Sequence, residues 1–186
     1  MDPKVMWTIV VIALVGAGIA GWFVWSRRRT EQLCTCFGSE YDRVVGETQD
    51  VRKAEASLAA RAKRVERLQI HFLRLDEASQ YRAAWQRVQA RFVDDPKAAI
   101  TEADRLVGEV MTARGYPVGD FDQNATDLSV DHPRVVENYR IAHEIALRDY
   151  QGQDSTEDLR KAMVSYRALF EELLGENVGR LEEVRR

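Results

Sequence analysis

Apolar and polar positions divide the chain sharply into an uninterrupted apolar run over residues 6–25 (MWTIVVIALVGAGIAGWFVW) and a long remainder in which every apolar stretch is broken by charges. About 20 residues at a rise of about 1.5 Å each give about 30 Å, the thickness of a bilayer's hydrocarbon core. A buried core helix of a soluble domain shows a polar face, and this run has none. A cleaved secretory signal has a shorter apolar segment with its basic residues in front of it. Here only Lys4 precedes the run, while Arg27, Arg28 and Arg29 follow it directly. The pattern therefore predicts a transmembrane helix over residues 6–25 behind a short extracytoplasmic segment, residues 1–5.

The charges on either side orient that helix. Lys and Arg near the ends of a span favour the cytoplasmic side, so the N-terminus is expected outside and everything after residue 29 in the cytoplasm. This amounts to a single-pass membrane protein with a cytoplasmic C-terminal domain. Trp7 at one end and Trp22 and Trp25 at the other are expected as interface anchors, with Arg27, Arg28 and Arg29 touching headgroups. Within the run, Ala13, Ala17 and Gly21 recur every four residues, with Gly16 and Ala20 on the adjoining ridge. Small residues so spaced let another helix approach closely, although Gly and Ala are also simply common in membrane spans.

Beyond a juxtamembrane linker, residues 26–38, the periodicity becomes helical. Residues 39–68 carry a thin stripe (Tyr41, Val44, Val51, Leu58, Val65, Leu68) suited to one long helix, with residues 69–75 as a connection. Asp76 is placed to cap a helix whose inner face is Tyr81, Trp85, Val88 and Phe92. Asp95-Pro96 opens the next, with Ile100, Ala103, Leu106, Val110 and Met111 inward and Gly115 at its end. A short segment, residues 121–128, precedes a helix expected to start at Asp131-His132-Pro133, with Val136, Tyr139, Ala142 and Ile145 inward and Gly152 as its break. Ser155-Thr156-Glu157-Asp158 resembles a capping box for the last helix, which Gly175 is expected to close, leaving residues 176–186 as a charged tail. The expected fold class is all-α: one transmembrane helix, then a cytoplasmic bundle of four to five helices over residues 39–175.

Five blocks carry a resemblance: FGSEYDR (37–43), WQRVQARFVDDP (85–96), RGYPVGDF (114–121), LSVDHPRVVENYR (128–140) and STEDLRKAMVSYRALFEELL (155–174). Together they resemble a widespread family of uncharacterised bacterial helical proteins, many of them membrane-anchored. The resemblance spans about residues 33–174 and implies a helical domain without catalytic residues to carry over. Cys34 and Cys36 stand where that pattern implies arginines, and Ser39 where it implies proline.

Composition narrows the function further. The charged fraction is 31% and the formal net charge −3, mixed in sign along the sequence, so no basic stripe offers itself to nucleic acid. Cys34-Thr35-Cys36 lacks the further ligands of a metal site, and His71, His132 and His143 are scattered. Asp127, Asp131, His132 and Glu137 form a polar cluster that suits a helix start as well as it suits acid–base chemistry. Tyr81, Trp85, Phe92, Tyr139, Tyr166 and Phe170 are expected as core rather than as a cofactor pocket. No phosphate-cradling glycine loop, nucleophile elbow or zinc signature is present. The expectation is a non-enzymatic structural or scaffolding subunit without cofactor, whose partners are membrane lipids and other membrane-protein subunits. The alternative is a membrane-tethered regulatory or sensing module that binds a soluble partner or a small ligand, favoured by any exposed groove beside Tyr139 and Tyr166.

Overall fold

In a computed structural model the described residues form eight helices and no strand. They are α1 (Pro3–Phe37), α2 (Ser39–Thr48), α3 (Val51–Val65), α4 (Leu75–Asp94), α5 (Pro96–Ala113), α6 (Phe121–Asp131), α7 (Val136–Asp149) and α8 (Thr156–Val184). The structure describes residues 3–117, 119–149 and 155–184, and within them the side chains other than those of residues 3–6, 8–15, 19, 25, 149 and 176–184. The all-α class is as expected, though the described residues form more helices than expected. Among the described residues no helix is long and apolar enough to cross a membrane. Most side chains of the 6–25 run lie outside that description, as does the expected break at Gly152. The chain divides into two compact units, Met1–Ala59 and Ala60–Arg186. The division falls inside α3, not at the 38/39 boundary that the periodicity suggested.

In the first unit, α1 continues through the stretch expected as a linker. Residues 26–37 contain neither Gly nor Pro, so nothing stops the helix before Gly38. Gly38, at φ 51°, ends it and donates its N–H to the Cys34 carbonyl at 2.9 Å. The single helix expected over residues 39–68 is two. Gln49 takes the left-handed conformation (φ 51°) and closes α2, and the Asp50 carboxylate accepts from the Arg52 and Lys53 N–H groups at 2.9 and 3.2 Å. By pattern alone, an aspartate that caps a helix looks like one more charge on a helical surface. Glu55 on α3 accepts from Thr30 Oγ1 of α1 at 2.7 Å and from the Tyr41 hydroxyl of α2 at 3.3 Å, tying the three helices of this unit.

The second unit holds the main core. The inner faces of α4 (Ala78, Trp85, Val88), α5 (Ile100, Ala103, Val107, Val110), α7 (Val136, Tyr139, Ala142) and α8 (Leu159, Tyr166, Leu169, Phe170, Leu173) are buried together. Burying each large side chain contributes about 2 kcal/mol. The Trp85 and Phe170 rings stack at 4.6 Å between α4 and α8. As expected, Asp95 Oδ1 caps α5 by accepting from the Ala98 N–H at 3.1 Å, with Pro96 in the first turn. At the other end, the Tyr116 N–H reaches the Met111 carbonyl and the Gly115 N–H the Thr112 carbonyl, at 3.0 and 2.9 Å. That paired closure needs a left-handed residue, and Gly115 (φ 93°) supplies it.

Other ends depart from expectation. Helix α4 begins at Leu75, with the Arg74 N–H donating to Glu77 Oε2 at 2.9 Å, so Asp76 lies inside the first turn. Asp131 and His132 close α6 instead of opening a helix, because Asp120 caps α6 early and its buried positions Ala125 and Leu128 carry it that far. The His132 carbonyl then accepts from Val135 and Val136 at 3.2 Å, so one residue ends a helix and starts the next turn. Helix α8 runs through Gly175 to Val184: a glycine weakens a helix by about 1 kcal/mol without ending it when flanked by good helix formers.

Gly115 also marks a close approach. A Cβ there would lie 2.4 Å from the Gln69 carbonyl oxygen, whereas one on Gly108 in α5 would meet nothing within 4 Å. Gly115→Ala is therefore expected to destabilise the fold by about 2 kcal/mol or more. Gly108→Ala is expected to stabilise it by about 0.5–1 kcal/mol. Urea unfolding of the full chain in mild detergent reads both; equal midpoints for the two variants would refute this account of the turn.

Candidate functional site

Three regions hold the residues that sequence reasoning singled out. On α1, Trp7, Trp22, Phe23 and Val24 are 68, 59, 52 and 51% exposed. Gly16, Ala17, Ala20 and Gly21 are exposed too, while the side chains of Ala13 and Trp25 lie outside the described residues. Arg27, Arg28 and Arg29 are all exposed, and the Arg27 guanidinium sits 4.7 Å from the centroid of the Phe23 ring one turn earlier. Farther along, Cys34 and Cys36 are free and exposed thiols. Among the described residues no group of His, Cys, Asp and Glu is arranged to hold a metal ion.

The second region is a buried polar node where α5, α6 and α8 end or pass. Arg114, the last residue of the α5 turn, is buried and donates from Nη1 to the Leu173 carbonyl at 3.1 Å. The same nitrogen approaches His132 Nε2 at 3.3 Å. A guanidinium only donates, so Nε2 accepts; the hydrogen then sits on Nδ1, which faces Glu172 Oε1 at 3.5 Å. Phe72 and Tyr116 lie 5.7 and 6.0 Å from the guanidinium carbon, and the Tyr116 hydroxyl donates to Asp131 at 2.8 Å. The Arg114 carbonyl accepts from the His71 N–H at 2.9 Å, which pins residues 66–74 against the end of α5.

Of the polar cluster read from the sequence, Asp127, Asp131 and His132 are thus drawn into bonds between separate segments of the chain, but not around a single open site. Asp127 is buried and accepts from Arg64 Nε at 3.0 Å and from Gln123 Nε2 at 2.9 Å. Glu137 pairs with Arg140, one turn along α7, at 3.5 Å. Arg114 was missed altogether. Its register was the available signal: it follows Ala103, Val107 and Val110 at helical spacing on the inner face of α5, where a long side chain is forced inward.

The third region is a groove of about 500 Å³ lined by Tyr81 of α4, Arg105, Gly108, Glu109 and Thr112 of α5, and Asn124 of α6. Burial in its wall, with Glu109 and Glu77 nearby, pushes the Tyr81 phenol up from its ordinary value. Neither Tyr139 nor Tyr166 is among the residues lining this groove; both are core. The Tyr166 hydroxyl donates to Asp104 at 2.8 Å, and Tyr139 packs on Phe121 with ring centroids 4.8 Å apart. Burial first, and the Asp104 charge second, push the Tyr139 phenol up to about 12. Of the six aromatics expected as core, Trp85, Tyr139, Tyr166 and Phe170 lie in the buried cluster of this unit, and Tyr81 and Phe92 pack against it partly buried.

Compared with family models, curated proteins and solved structures, the chain matches none.

The node and the core each make a measurable prediction. Arg114→Met leaves the Leu173 carbonyl and His132 Nε2 without that donor and is expected to cost about 2–3 kcal/mol in urea unfolding; a change below about 0.5 kcal/mol would refute the node's importance. The raised Tyr139 pKa favours the neutral phenol in the folded state. Its stabilisation is complete below about pH 10, the value of a free tyrosine, and is lost as pH rises toward about 12. Phenolate absorbance is expected to show a late-titrating component near pH 12 that shrinks in Tyr139→Phe.

Proposed function

We propose that this chain is a non-enzymatic, single-pass protein of the bacterial inner (cytoplasmic) membrane, and a structural or scaffolding accessory subunit of a larger membrane complex. An energy-transducing complex, photosynthetic or respiratory, is the kind of host that such a subunit suits. The observation that carries the reading is α1. Its backbone is one continuous helix from Pro3 to Phe37, and its uncharged run over residues 6–25 ends at three exposed arginines. Trp7, Trp22, Phe23 and Val24 stand more than half exposed on that helix. Large apolar side chains so displayed are costly in water and favourable in a bilayer. In this reading Trp7, Trp22 and Trp25 lie at the two interfaces and Arg27, Arg28 and Arg29 at the cytoplasmic headgroups. Ala13, Gly16, Ala17, Ala20 and Gly21 pack against helices of partner subunits.

Cys34 and Cys36, the only cysteines, report the topology without any substitution. In a bacterial host, a membrane-impermeant maleimide is expected to label them in inside-out vesicles and not in intact cells, and the chain to stay in the membrane pellet after alkaline carbonate. Labelling in intact cells would overturn the orientation, and release by carbonate would overturn the anchor. In mild detergent the native chain is expected to migrate with stoichiometric membrane partners; a lone monomer would overturn the scaffolding role.

One observation favours the second reading, a membrane-tethered regulatory or sensing module. The groove over Gly108 is within the size range of small-molecule sites. A thermal shift of the native chain with a small-molecule library, abolished by Gly108→Leu, would favour that reading over the first.

A further inference from the structure

We infer that the exposed collar of Arg27, Arg28 and Arg29 is a contact surface for the phosphates of anionic lipids, and that it selects them over zwitterionic lipids. The inference rests on the proposed membrane anchor and adds which lipid class borders it. Consecutive residues on a helix are about 100° apart, so three arginines spread their guanidinia over about 200° of the circumference of α1. Any lipid lining that side meets at least one of them. Phe23, one turn earlier, holds the Arg27 guanidinium at 4.7 Å from its ring centroid. A guanidinium stacked on an aromatic face is oriented by it and keeps its N–H edge available for the fork-like hydrogen bonds that a phosphate accepts.

The position along the helix also fits. Trp22 and Phe23 are exposed immediately before the collar, so the arginines lie where apolar surface gives way to charge, the depth of headgroup phosphates. The next residue of opposite sign is Glu31, a full turn beyond Arg27 and farther from the apolar run. The chain as a whole has a net charge of −3, so it is this collar, and not the overall charge, that attracts an anionic surface. Each arginine near such a surface is worth about 1 kcal/mol, a factor of about 5 in relative binding.

The test is Trp fluorescence of the full chain reconstituted into phosphatidylcholine vesicles. Brominated phosphatidylglycerol and brominated phosphatidylcholine are compared as quenchers. The native chain is expected to show a relative association constant of about 5 or more for phosphatidylglycerol. It is expected to fall to about 1 in Arg27→Gln/Arg28→Gln/Arg29→Gln, and to shrink at about 1 M salt, where the screening length drops to about 3 Å. Flotation of both proteins with the vesicles, with unchanged helical circular dichroism, shows that each is inserted and folded. An inserted native chain with a ratio of 1, or a triple variant that keeps the preference, would overturn this inference and leave the anchor standing. A native chain that does not float with the vesicles would overturn the anchor reading itself, and this inference with it.

Discussion

Arg114 lies buried at the end of α5, 3.1 Å from the Leu173 carbonyl of α8 and 3.3 Å from the imidazole of His132 at the end of α6, while its own carbonyl holds the His71 N–H. Four separate pieces of the second unit therefore converge on one residue. The reason is general: helix ends leave carbonyls without partners, and a buried charge needs several acceptors. The Arg114 carbonyl meets the His71 N–H, and its guanidinium meets the Leu173 carbonyl and the His132 imidazole. The glycine beside it is part of the same constraint, since any side chain at position 115 collides with the Gln69 carbonyl.

The rest of that unit is apolar burial arranged around the node. Trp85 stacked on Phe170 joins α4 to α8, and Tyr166, wholly buried, spends its one hydroxyl on Asp104 of α5. Asp127, one turn before Asp131 on α6, repeats the logic of the node, with Arg64 and Gln123 as donors. These polar groups, which could be imagined as chemistry in the sequence, are occupied in holding helices together. The groove over Gly108 and the exposed side chains of α1 are open instead.

The legibility of the chain followed the range of the forces involved. Strong helical periodicity marked α4, α5 and α8 and most of their inner faces, since side-chain spacing on one helix is a local property. Capping was legible where cap and first turn are neighbours, as at Asp95-Pro96 and Ser155, whose hydroxyl accepts from the Asp158 N–H at 3.2 Å. It failed at Asp50, where a cap in a charged, Ala-rich stretch is indistinguishable by pattern from a surface aspartate. It failed again at Asp131-His132, read as a helix start although α6 had already begun at Asp120. The linker expected at residues 26–38 and the stop expected at Gly175 erred the same way, because a change in composition does not break a helix without a residue that leaves the αR region.

By itself the sequence determined the all-helical class, the apolar run with its arginine collar, and the faces that α4, α5, α7 and α8 turn inward. All of these depend on residue type and spacing along one chain. Only the tertiary structure decided that Arg114 is buried, that His132 Nε2 faces it, that Asp127 belongs to Arg64, and that Tyr139 and Tyr166 are core. These depend on which helix ends meet. A meeting between residues 59 positions apart, such as Arg114 and Leu173, leaves no mark in local periodicity.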